Sequence, residues 1–163
     1  MNAGTRAGSF CDCVVHTEVV TGDGLVKTIP AAQLGASYRS CPAVVGSVVT
    51  KIRIKLQKSS QIAVRIAMDD ALAMRPDFSG LRSGGSIFKN PPLPGKSAGI
   101  ILDEAGCKGL RIGGAYVTKH HANIISVDQE ATASDVYALM RMMRERALTN
   151  SGILLEPEIR VLS

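Results

Sequence analysis

The stretch "CVVHTEVVTGDGLVKTI", residues 13–29, decides the fold class of the first part of the chain. β-branched residues lie on both sides of Thr21-Gly22-Asp23-Gly24, and two such runs around a glycine-containing turn are typical of a β-hairpin. The next run, "VTKIRIKL" at residues 49–56, alternates apolar and basic residues. Side chains of a strand alternate between faces, so the pattern predicts antiparallel strands in this region.

The alternation in the second run also predicts what each strand face contacts. Ile52, Ile54 and Leu56 lie on one face, and Lys51, Arg53 and Lys55 lie on the other. We expect the apolar face to be buried and the basic face to be solvated. Nucleic-acid binding through this basic face is an alternative, and it would show a steep dependence of affinity on salt.

Helical patterns follow the strands. The stretch at 60–75 has apolar residues at helical spacing before Pro76, and "KSAGIILDEAG" at 96–106 predicts a short helix closed by Gly106. A third helix is predicted from Thr132 to about residue 149. Its amino-terminal end has a capping-box pattern, and the helix carries an apolar stripe formed by Val136, Leu139, Met143 and Ala147.

Short strands alternate with these helices. "LRIGGAYV" at 110–117 and "NIISVD" at 123–128 predict strands around a polar turn, and "ILLEPEIRVL" at 153–162 predicts a final strand. Antiparallel strands followed by mixed helices and strands indicate an α+β fold. We expect a domain boundary near residues 57–62.

Composition limits the classes of partner. The chain of 163 residues is 45% hydrophobic and 20% charged, which predicts a folded protein with one core or two small lobes. Its net charge of +5 favours anionic partners, and only three Tyr, three Phe and no Trp disfavour single-stranded nucleic acid. Small phosphorylated ligands fit best. Without an apolar run of membrane-spanning length or a secretory leader pattern, we expect a cytoplasmic protein that binds neither nucleic acid nor membrane.

The four cysteines, Cys11, Cys13, Cys41 and Cys107, are too few and too scattered for a disulfide scaffold. Cys11 and Cys13 would share one face of a strand, and such a pair could be half of a metal site. His16 would point to the opposite face, so further ligands are lacking. We therefore expect buried, reduced thiols and no metal.

The stretch "GGSIFKNPPLPGKSAG", residues 84–99, contains Gly95-Lys96-Ser97 but is not a phosphate-binding loop. Three prolines lack the backbone N–H groups that such a loop needs, and Asn90 replaces its first glycine. The segment 76–95 is rich in Gly, Ser and Pro and is predicted to be a long functional loop. Ser86 follows two glycines and could donate a proton to a ligand that excludes water, or could lie in an ordinary turn.

Several other polar residues have both a functional and an ordinary interpretation. Arg39 lies in "SYRSC" and Glu158 in the alternating "LEPEIRVL", where charged side chains are usually solvated. Lys119, His120 and His121 could bind phosphate or metal, or could form a polar turn. Residue types alone leave these alternatives open.

Several segments, in this order, resemble one known family, the UDP-N-acetylenolpyruvoylglucosamine reductases of bacterial peptidoglycan synthesis. The segments are "NAG" at 2–4, "YRSC" at 38–41, "GGSIFKNP" at 84–91, "AGCKGLRIGGAYV" at 105–117, "HAN" at 121–123, "ATASDV" at 131–136 and "LEPEIRVL" at 155–162. The resemblance extends over almost the whole chain.

The resemblance implies an NADPH-dependent, FAD-mediated reduction of UDP-N-acetylenolpyruvoylglucosamine to UDP-N-acetylmuramate. Ser86 would be the proton donor, and Arg39 and Glu158 would stabilise the enolic form of the substrate carboxylate. A guanidinium can bind a carboxylate through two hydrogen bonds, and a fixed carboxyl can hydrogen-bond a developing enediolate. The substrate-binding residues implied are Tyr38, Lys89, Asn90 and His121, and the cofactor-binding residues implied are Asn2 and Gly4.

The resemblance also implies that part of the enzyme is missing from this sequence. Residues 1–58 match the end of the FAD-binding lobe, and residues 59–163 match the substrate-binding C-terminal domain. The partners implied are a UDP-sugar substrate and the missing flavin-binding lobe, in cis or in trans. Arg6 stands where the family commonly has an aromatic residue, and "AMRPDF", with Arg75, matches only loosely. The alternative function is a non-catalytic module that binds a UDP-sugar or another anion.

Overall fold

The computed structural model describes residues 1–5, 8–73 and 80–161. Arg6, Arg75 and Pro76, which the sequence singles out, lie outside the described residues. The chain divides into an amino-terminal unit, Met1–Pro76, and a carboxy-terminal unit, Asp77–Ser163. Mixed helices and antiparallel sheets in these units confirm the predicted α+β class. The assignment of residues 1–58 and 59–163 to a flavin-binding and a substrate-binding domain remains a prediction.

The amino-terminal unit begins with the short strands β1 (Gly4–Thr5) and β2 (Gly8–Ser9), followed by a 3-10 helix at Phe10–Cys13. The predicted hairpin then follows as β3 (Val14–Val20) and β4 (Val26–Pro30), paired antiparallel. The amide of Thr21 donates a 2.9 Å hydrogen bond to the carbonyl of Leu25, which closes the turn. The hairpin prediction is therefore confirmed.

The strand β5 (Val48–Ile54) pairs antiparallel with the free side of β3, which gives the order β4-β3-β5. Its basic residues are exposed as predicted, but the predicted burial of its apolar face is wrong. Ile52, Ile54 and Leu56 are 41%, 44% and 73% exposed. The physical reason is that alternation shows which side chains share a face but not whether another element packs on that face, and these side chains remain exposed.

The helix α1 (Gln61–Ala73) confirms the helical periodicity of this segment. Apolar side chains on several sides of the helix are exposed, including Ile62, Ile66, Met68 and Leu72. The side chain of Ser60 caps the start of the helix, because its hydroxyl accepts a 3.2 Å hydrogen bond from the amide of Ala63. The spacing of the apolar residues thus predicts the helix, but it does not predict that these side chains are exposed.

The carboxy-terminal unit contains a four-stranded antiparallel sheet in the order β6-β9-β8-β7. Its strands are β6 (Ser83–Ser86), β7 (Arg111–Ile112), β8 (Ala115–Val117) and β9 (Ile124–Val127). The strand β6 lies inside the segment predicted to be a long loop, so that prediction is wrong for residues 83–86. Pairing with β9 determines the strand, although Ser-Gly-Gly-Ser has little β propensity of its own.

Two helices cover this sheet and complete the core. The helices are α2 (Ala98–Glu104) and α3 (Ala133–Ser151), as the sequence predicts. Thr132 and Asp135 form the predicted capping box, which satisfies backbone amides at the start of α3. The largest fully buried side chains of the core include Phe88, Ile101, Leu102, Leu139, Met143 and Leu155.

The final segment differs from its prediction. Residues 153–161 form no strand, and their pairing is a single bridge between Phe88 and Pro157. The hydrogen bonds of this bridge run from the amide of Glu158 to Ile87 and from the amide of Lys89 to Glu156. The pairing does not extend, because the amide of Ile87 donates to the carbonyl of Asn123 and Pro91 has no N–H group. Ile159 still packs against the core, whereas Val161 on the same predicted face is exposed.

Within the described part of the chain, the structure contains no helix that is long and apolar enough to cross a membrane.

Candidate functional site

The buried side chain of Asn123 organises the region around Ser86. Asn123 is 3% exposed and follows the turn between β8 and β9. Its Oδ1 accepts a 2.9 Å hydrogen bond from the amide of Phe88, and its Nδ2 donates a 2.8 Å hydrogen bond to the carbonyl of Phe88. The chain after β6 is thereby fixed to the start of β9 by both polar groups of one residue.

The segment that carries Glu158 runs beside the segment that carries Ser86. The amide of Glu158 donates a 2.7 Å hydrogen bond to the carbonyl of Ile87, the residue after Ser86. The amide of Lys89 donates a 2.8 Å hydrogen bond to the carbonyl of Glu156. The structure thus brings the predicted proton donor and one predicted carboxylate-binding residue onto neighbouring backbone segments.

Glycine makes the backbone at Ser86 possible. Gly85 has a φ of +87°, a region that residues with a Cβ atom rarely adopt. Ser86 itself is half-buried and lies opposite Ile124 in the β6–β9 pair. Open space surrounds Gly84 and Gly85, where an added Cβ atom would meet no heavy atom within 4 Å. A ligand could therefore approach the backbone closely beside the Ser86 hydroxyl.

Lys89 and Asn90 already have partners within the unit. The ammonium of Lys89 forms an ion pair with the carboxylate of Glu156. The Oδ1 atom of Asn90 accepts a 3.0 Å hydrogen bond from the amide of Ala98, at the start of α2. Asn90 thus connects the Ser86 segment to this helix, whose predicted start near Lys96 is confirmed by the cap at Ser97.

His121 lies half-buried against the first turn of α2. Its Nδ1 atom accepts a 3.1 Å hydrogen bond from the amide of Asn123. A Cβ atom at Gly99 would lie 2.9 Å from Cε1 of His121, so glycine makes room for the ring. Burial lowers the pKa of His121, the Lys108 ammonium lowers it further, and Asp103 opposes both. With Nδ1 as acceptor, the neutral ring carries its proton on Nε2, which can donate to a ligand.

Tyr38 and Arg39 lie in a tight turn of the amino-terminal unit. Ser37 and Ser40 exchange backbone hydrogen bonds of 3.0 and 3.1 Å across this turn. Arg39 has a φ of +54°, and its guanidinium lies 5.1 Å from the centre of the Tyr38 ring. A positive φ is unfavourable for arginine, and strained residues of this kind are common at functional sites.

Asn2 and Gly4, the predicted cofactor-binding residues, lie in the same unit as this turn. The buried Asn2 side chain donates a 3.3 Å hydrogen bond to the carbonyl of Ser37 and accepts a 3.0 Å hydrogen bond from the amide of Cys11. A Cβ atom at Gly4 would lie 3.3 Å from the carbonyl oxygen of Gly8. Asn2 and Gly4 therefore both have a structural role within the chain.

The predicted site residues fall into two sets. Ser86, Lys89, Asn90, His121 and Glu158 lie in the carboxy-terminal unit, and the others lie in the amino-terminal unit. Within the carboxy-terminal unit, Asn123, Glu156 and Ala98 provide the contacts that connect the set. Their roles toward a ligand remain predictions.

Sequence reasoning missed two supporting residues, Asn123 and Gly99. The signal for Asn123 was available, since it is the last residue of the "HAN" segment and precedes an apolar run. The packing of Gly99 against His121 joins residues far apart in the chain, so no local pattern indicates it.

The thiols differ from their prediction. Cys107 is buried as expected, but Cys11, Cys13 and Cys41 are only half-buried, so the expectation of buried thiols is wrong for these three. The 3-10 helix at Phe10–Cys13 replaces the predicted strand at Cys11 and Cys13 and leaves the two side chains partly accessible. Among residues 1–5, 8–73 and 80–161, no cluster of three or more His, Cys, Asp or Glu could hold a metal ion.

Comparison with known proteins supports the family resemblance. Residues 76–162 match the family described as UDP-N-acetylenolpyruvoylglucosamine reductase, C-terminal domain. A UDP-N-acetylenolpyruvoylglucosamine reductase of Anaeromyxobacter dehalogenans strain 2CP-C is 39% identical over 170 residues, which cover 99% of this chain and 49% of the relative. The Myxococcus xanthus enzyme of the same name is also 39% identical, over 99% of this chain and 52% of its own.

The fold has a solved relative as well. The crystal structure of the UDP-N-acetylenolpyruvylglucosamine reductase from Thermus caldophilus matches with a TM-score of 0.82 and 37% sequence identity, over 100% of this chain and 58% of the solved chain. The chain thus spans about half the length of the curated relatives it matches. From its matched domain and its similarity over almost its whole length, the chain belongs to the UDP-N-acetylenolpyruvoylglucosamine reductase family.

Proposed function

We propose that this chain supplies the substrate-binding and proton-donor residues of an enzyme that reduces UDP-N-acetylenolpyruvoylglucosamine to UDP-N-acetylmuramate. The observation that carries the proposal is the pairing of the Ser86 and Glu158 segments through the 2.7 Å hydrogen bond from Glu158 to Ile87. Family membership supports an oxidoreductase of peptidoglycan synthesis. The residue roles come from the resemblance and from the chemistry of these side chains.

Ser86 is assigned the proton transfer. Reduction of the enolpyruvyl double bond creates negative charge beside the substrate carboxylate, and a proton must then be delivered to the carbon that carries this charge. A serine hydroxyl is a weak acid, so it can act only where its position is fixed and water is excluded. The adjacent hydrogen bonds of Ile87 and Phe88 to Asn123 fix the backbone that follows Ser86.

Glu158 and Arg39 are assigned the stabilisation of the charge that develops on the substrate carboxylate. A carboxyl group held by its backbone beside the Ser86 segment can share a proton with an enediolate oxygen. The guanidinium of Arg39 can bind a carboxylate through two parallel hydrogen bonds. Its turn is closed by Ser37 and Ser40, which restrict the backbone on either side.

The remaining residues are assigned to substrate binding. Lys89 is assigned to the diphosphate, where its ammonium would exchange the carboxylate of Glu156 for a phosphate oxygen. His121 can donate from Nε2 to a neutral or anionic acceptor, since its Nδ1 is occupied by the amide of Asn123. Asn90 is assigned through its position beside the start of α2, where its Oδ1 accepts from the amide of Ala98. Tyr38 is assigned through its ring, which lies next to the guanidinium of Arg39.

The two residues assigned to cofactor binding, Asn2 and Gly4, have contacts within the chain. The Oδ1 and Nδ2 atoms of Asn2 are both hydrogen-bonded within the chain, and Gly4 packs against Gly8. FAD, reduced by NADPH, would supply the hydride for the double bond. We therefore propose that FAD and NADPH are bound mainly by the portion of the reductase that this chain does not cover, with Asn2 shaping the adjoining loops. This portion is the proposed partner, in cis or in trans, and the cytoplasm is the proposed location.

A binding experiment separates this proposal from a non-catalytic anion-binding module. The chain would be titrated with UDP-N-acetylenolpyruvoylglucosamine and with UDP-N-acetylmuramate in a calorimeter. It would then be combined with the first half of the Anaeromyxobacter relative, FAD and NADPH. We expect substrate-dependent NADPH oxidation in the combined sample, lost with Arg39→Lys. Equal binding of both UDP-sugars, with no turnover in a sample that demonstrably contains FAD and both halves, would contradict the proposal.

A further inference from the structure

Lys89 and Glu156 contact each other twice, once through the backbone and once through their side chains. The amide of Lys89 donates a 2.8 Å hydrogen bond to the carbonyl of Glu156. The ammonium of Lys89 also forms an ion pair with the carboxylate of Glu156. The two residues are 67 positions apart in the chain, so the fold and not the local sequence brings them together.

The backbone on both sides of Glu156 is held by contacts that do not involve this ion pair. On one side, Nε of Arg144 in α3 donates a 2.9 Å hydrogen bond to the carbonyl of Leu155, which is buried in the core. On the other side, the amide of Glu158 donates a 2.7 Å hydrogen bond to the carbonyl of Ile87. We therefore expect the main chain at Glu156 to keep its position when the ion pair opens.

The two side chains of the ion pair differ in their access to water. The side chain of Lys89 is 26% exposed, whereas that of Glu156 is 70% exposed. An exposed carboxylate stays hydrated when its partner leaves, so the pair can open at little cost. A largely covered ammonium is destabilised when it has no anion beside it. We therefore expect Lys89 to be paired either with Glu156 or with an anionic ligand.

We propose that Glu156 is an internal competitor of the substrate, whose carboxylate occupies the ammonium of Lys89 and so weakens the binding of a diphosphate. This inference rests on the proposed function, which assigns Lys89 to the diphosphate. A phosphate oxygen replaces the Glu156 carboxylate at the ammonium, and the backbone hydrogen bond between the two residues remains. The ammonium keeps its charge throughout, so the exchange involves no proton transfer.

A purely structural role of Glu156 predicts the opposite effect on binding. If the carboxylate served to hold Lys89 in place for the diphosphate, its removal would weaken binding. If it competes with the diphosphate, its removal strengthens binding. The direction of the change in affinity therefore distinguishes a competitor from a support.

Calorimetric titration of the whole chain with UDP tests the proposal. Glu156→Gln keeps the size of the side chain but removes its charge, and we expect UDP to bind about two- to fivefold more tightly, in keeping with the small contribution of an exposed ion pair. Glu145→Gln is the matched control, since Glu145 is also 70% exposed and also pairs with a cation, Arg141. This control should leave the affinity for UDP unchanged. Urea denaturation checks that the variants remain folded.

A second pair of variants shows whether the effect acts through Lys89. Lys89→Ala should weaken UDP binding, and adding Glu156→Gln to Lys89→Ala should change the affinity no further. Equal affinities of Lys89→Ala and the unchanged chain would contradict the assignment of Lys89 to the diphosphate, and the competitor role with it. If Lys89→Ala weakens binding, that assignment stands, and unchanged or weaker binding by Glu156→Gln would contradict the competitor role alone. Tighter binding by Glu156→Gln in the Lys89→Ala background would also overturn it, because the carboxylate would then repel UDP directly.

Discussion

The side chain of Asn123 forms hydrogen bonds with both backbone polar groups of Phe88, at 2.9 Å to its nitrogen and 2.8 Å to its oxygen. Phe88 also forms the bridge to Pro157, which places the Glu158 segment beside the Ser86 segment. The buried side-chain amide of Asn123 thus helps to hold the Ser86 segment beside the Glu158 segment. The proposed chemistry depends on this arrangement.

Replacement of Asn123 by Ala should destabilise the carboxy-terminal unit. The change leaves the buried N–H and C=O groups of Phe88 without their side-chain partners, at a cost of roughly 2 to 4 kcal/mol in the free energy of unfolding. Urea denaturation followed by circular dichroism measures this loss. Asn150→Ala, at an exposed position near the end of α3, is the matched control and should change stability little. A loss as small as that of the control would contradict the role given to Asn123.

Replacement of Gly114 by Ala should disturb the packing of α3 on the sheet. An added Cβ atom would be 2.5 Å from the backbone nitrogen of Ala131, just before the helix, and even closer to Asp128. Backbone cannot move aside as a flexible side chain can, so we expect a loss of about 1 to 3 kcal/mol. Gly84→Ala, where the added atom meets nothing within 4 Å, is the control for thermal unfolding. Similar midpoints for the two variants would refute this explanation.

The three-stranded sheet should respond unequally to truncation of its apolar side chains. Val19 is fully buried in β3, whereas Ile52 in the neighbouring β5 is 41% exposed. Val19→Ala should cost about 2 kcal/mol, and Ile52→Ala should cost less, although it removes a larger side chain. Urea denaturation of both variants makes the comparison. A greater loss for Ile52→Ala would mean that something covers β5 in solution.

Stability of the carboxy-terminal unit should fall as the solution is acidified through the titration range of His121. Burial, together with Lys108, lowers the pKa of this histidine in the folded state, so the unfolded chain binds a proton more readily. The stabilising contribution is complete above the unfolded pKa of about 6.5 and is lost as the pH falls through the lower, folded value. Urea midpoints between neutral and acidic pH measure the effect.

Two histidine variants separate this effect from general acid unfolding. His121→Asn keeps an acceptor for the amide of Asn123 but removes the titrating ring, so part of the pH dependence should disappear. His120→Asn, at the exposed neighbouring position, should retain it. An identical pH dependence in both variants would exclude His121 as the source.

Local patterns predicted the elements whose stabilising contacts are close in sequence. The hairpin turn at Thr21–Gly24 and the capping box of Thr132 and Asp135 depend on residues within four positions of one another. The helix at Gln61–Ala73 likewise follows from the spacing of its own apolar residues. For these elements the sequence was sufficient.

Contacts between distant segments explain what the sequence did not predict. The strand at Ser83–Ser86 exists because it pairs with β9, and the burial of Ile52 depends on what covers β5. The neighbouring positions of Ser86 and Glu158 likewise depend on hydrogen bonds between segments about seventy residues apart in the chain. The family resemblance, and not the residue types, identified Ser86 and Glu158 as candidate site residues. The residue types alone favoured an ordinary turn at Ser86 and a solvated carboxylate at Glu158.

The rate at which substrate reoxidises the reduced flavin tests the central claim most directly. It would be measured by stopped-flow absorbance in the assembled reductase containing Ser86→Ala, after reduction with NADPH. We predict a decrease of about 10²- to 10⁴-fold, the usual contribution of a positioned acid, with flavin reduction by NADPH largely preserved. Ser134→Ala, at an exposed position in the first turn of α3, should leave both rates close to those of the unchanged chain. Reoxidation by substrate at an undiminished rate in Ser86→Ala would contradict the assignment of Ser86 as the proton donor.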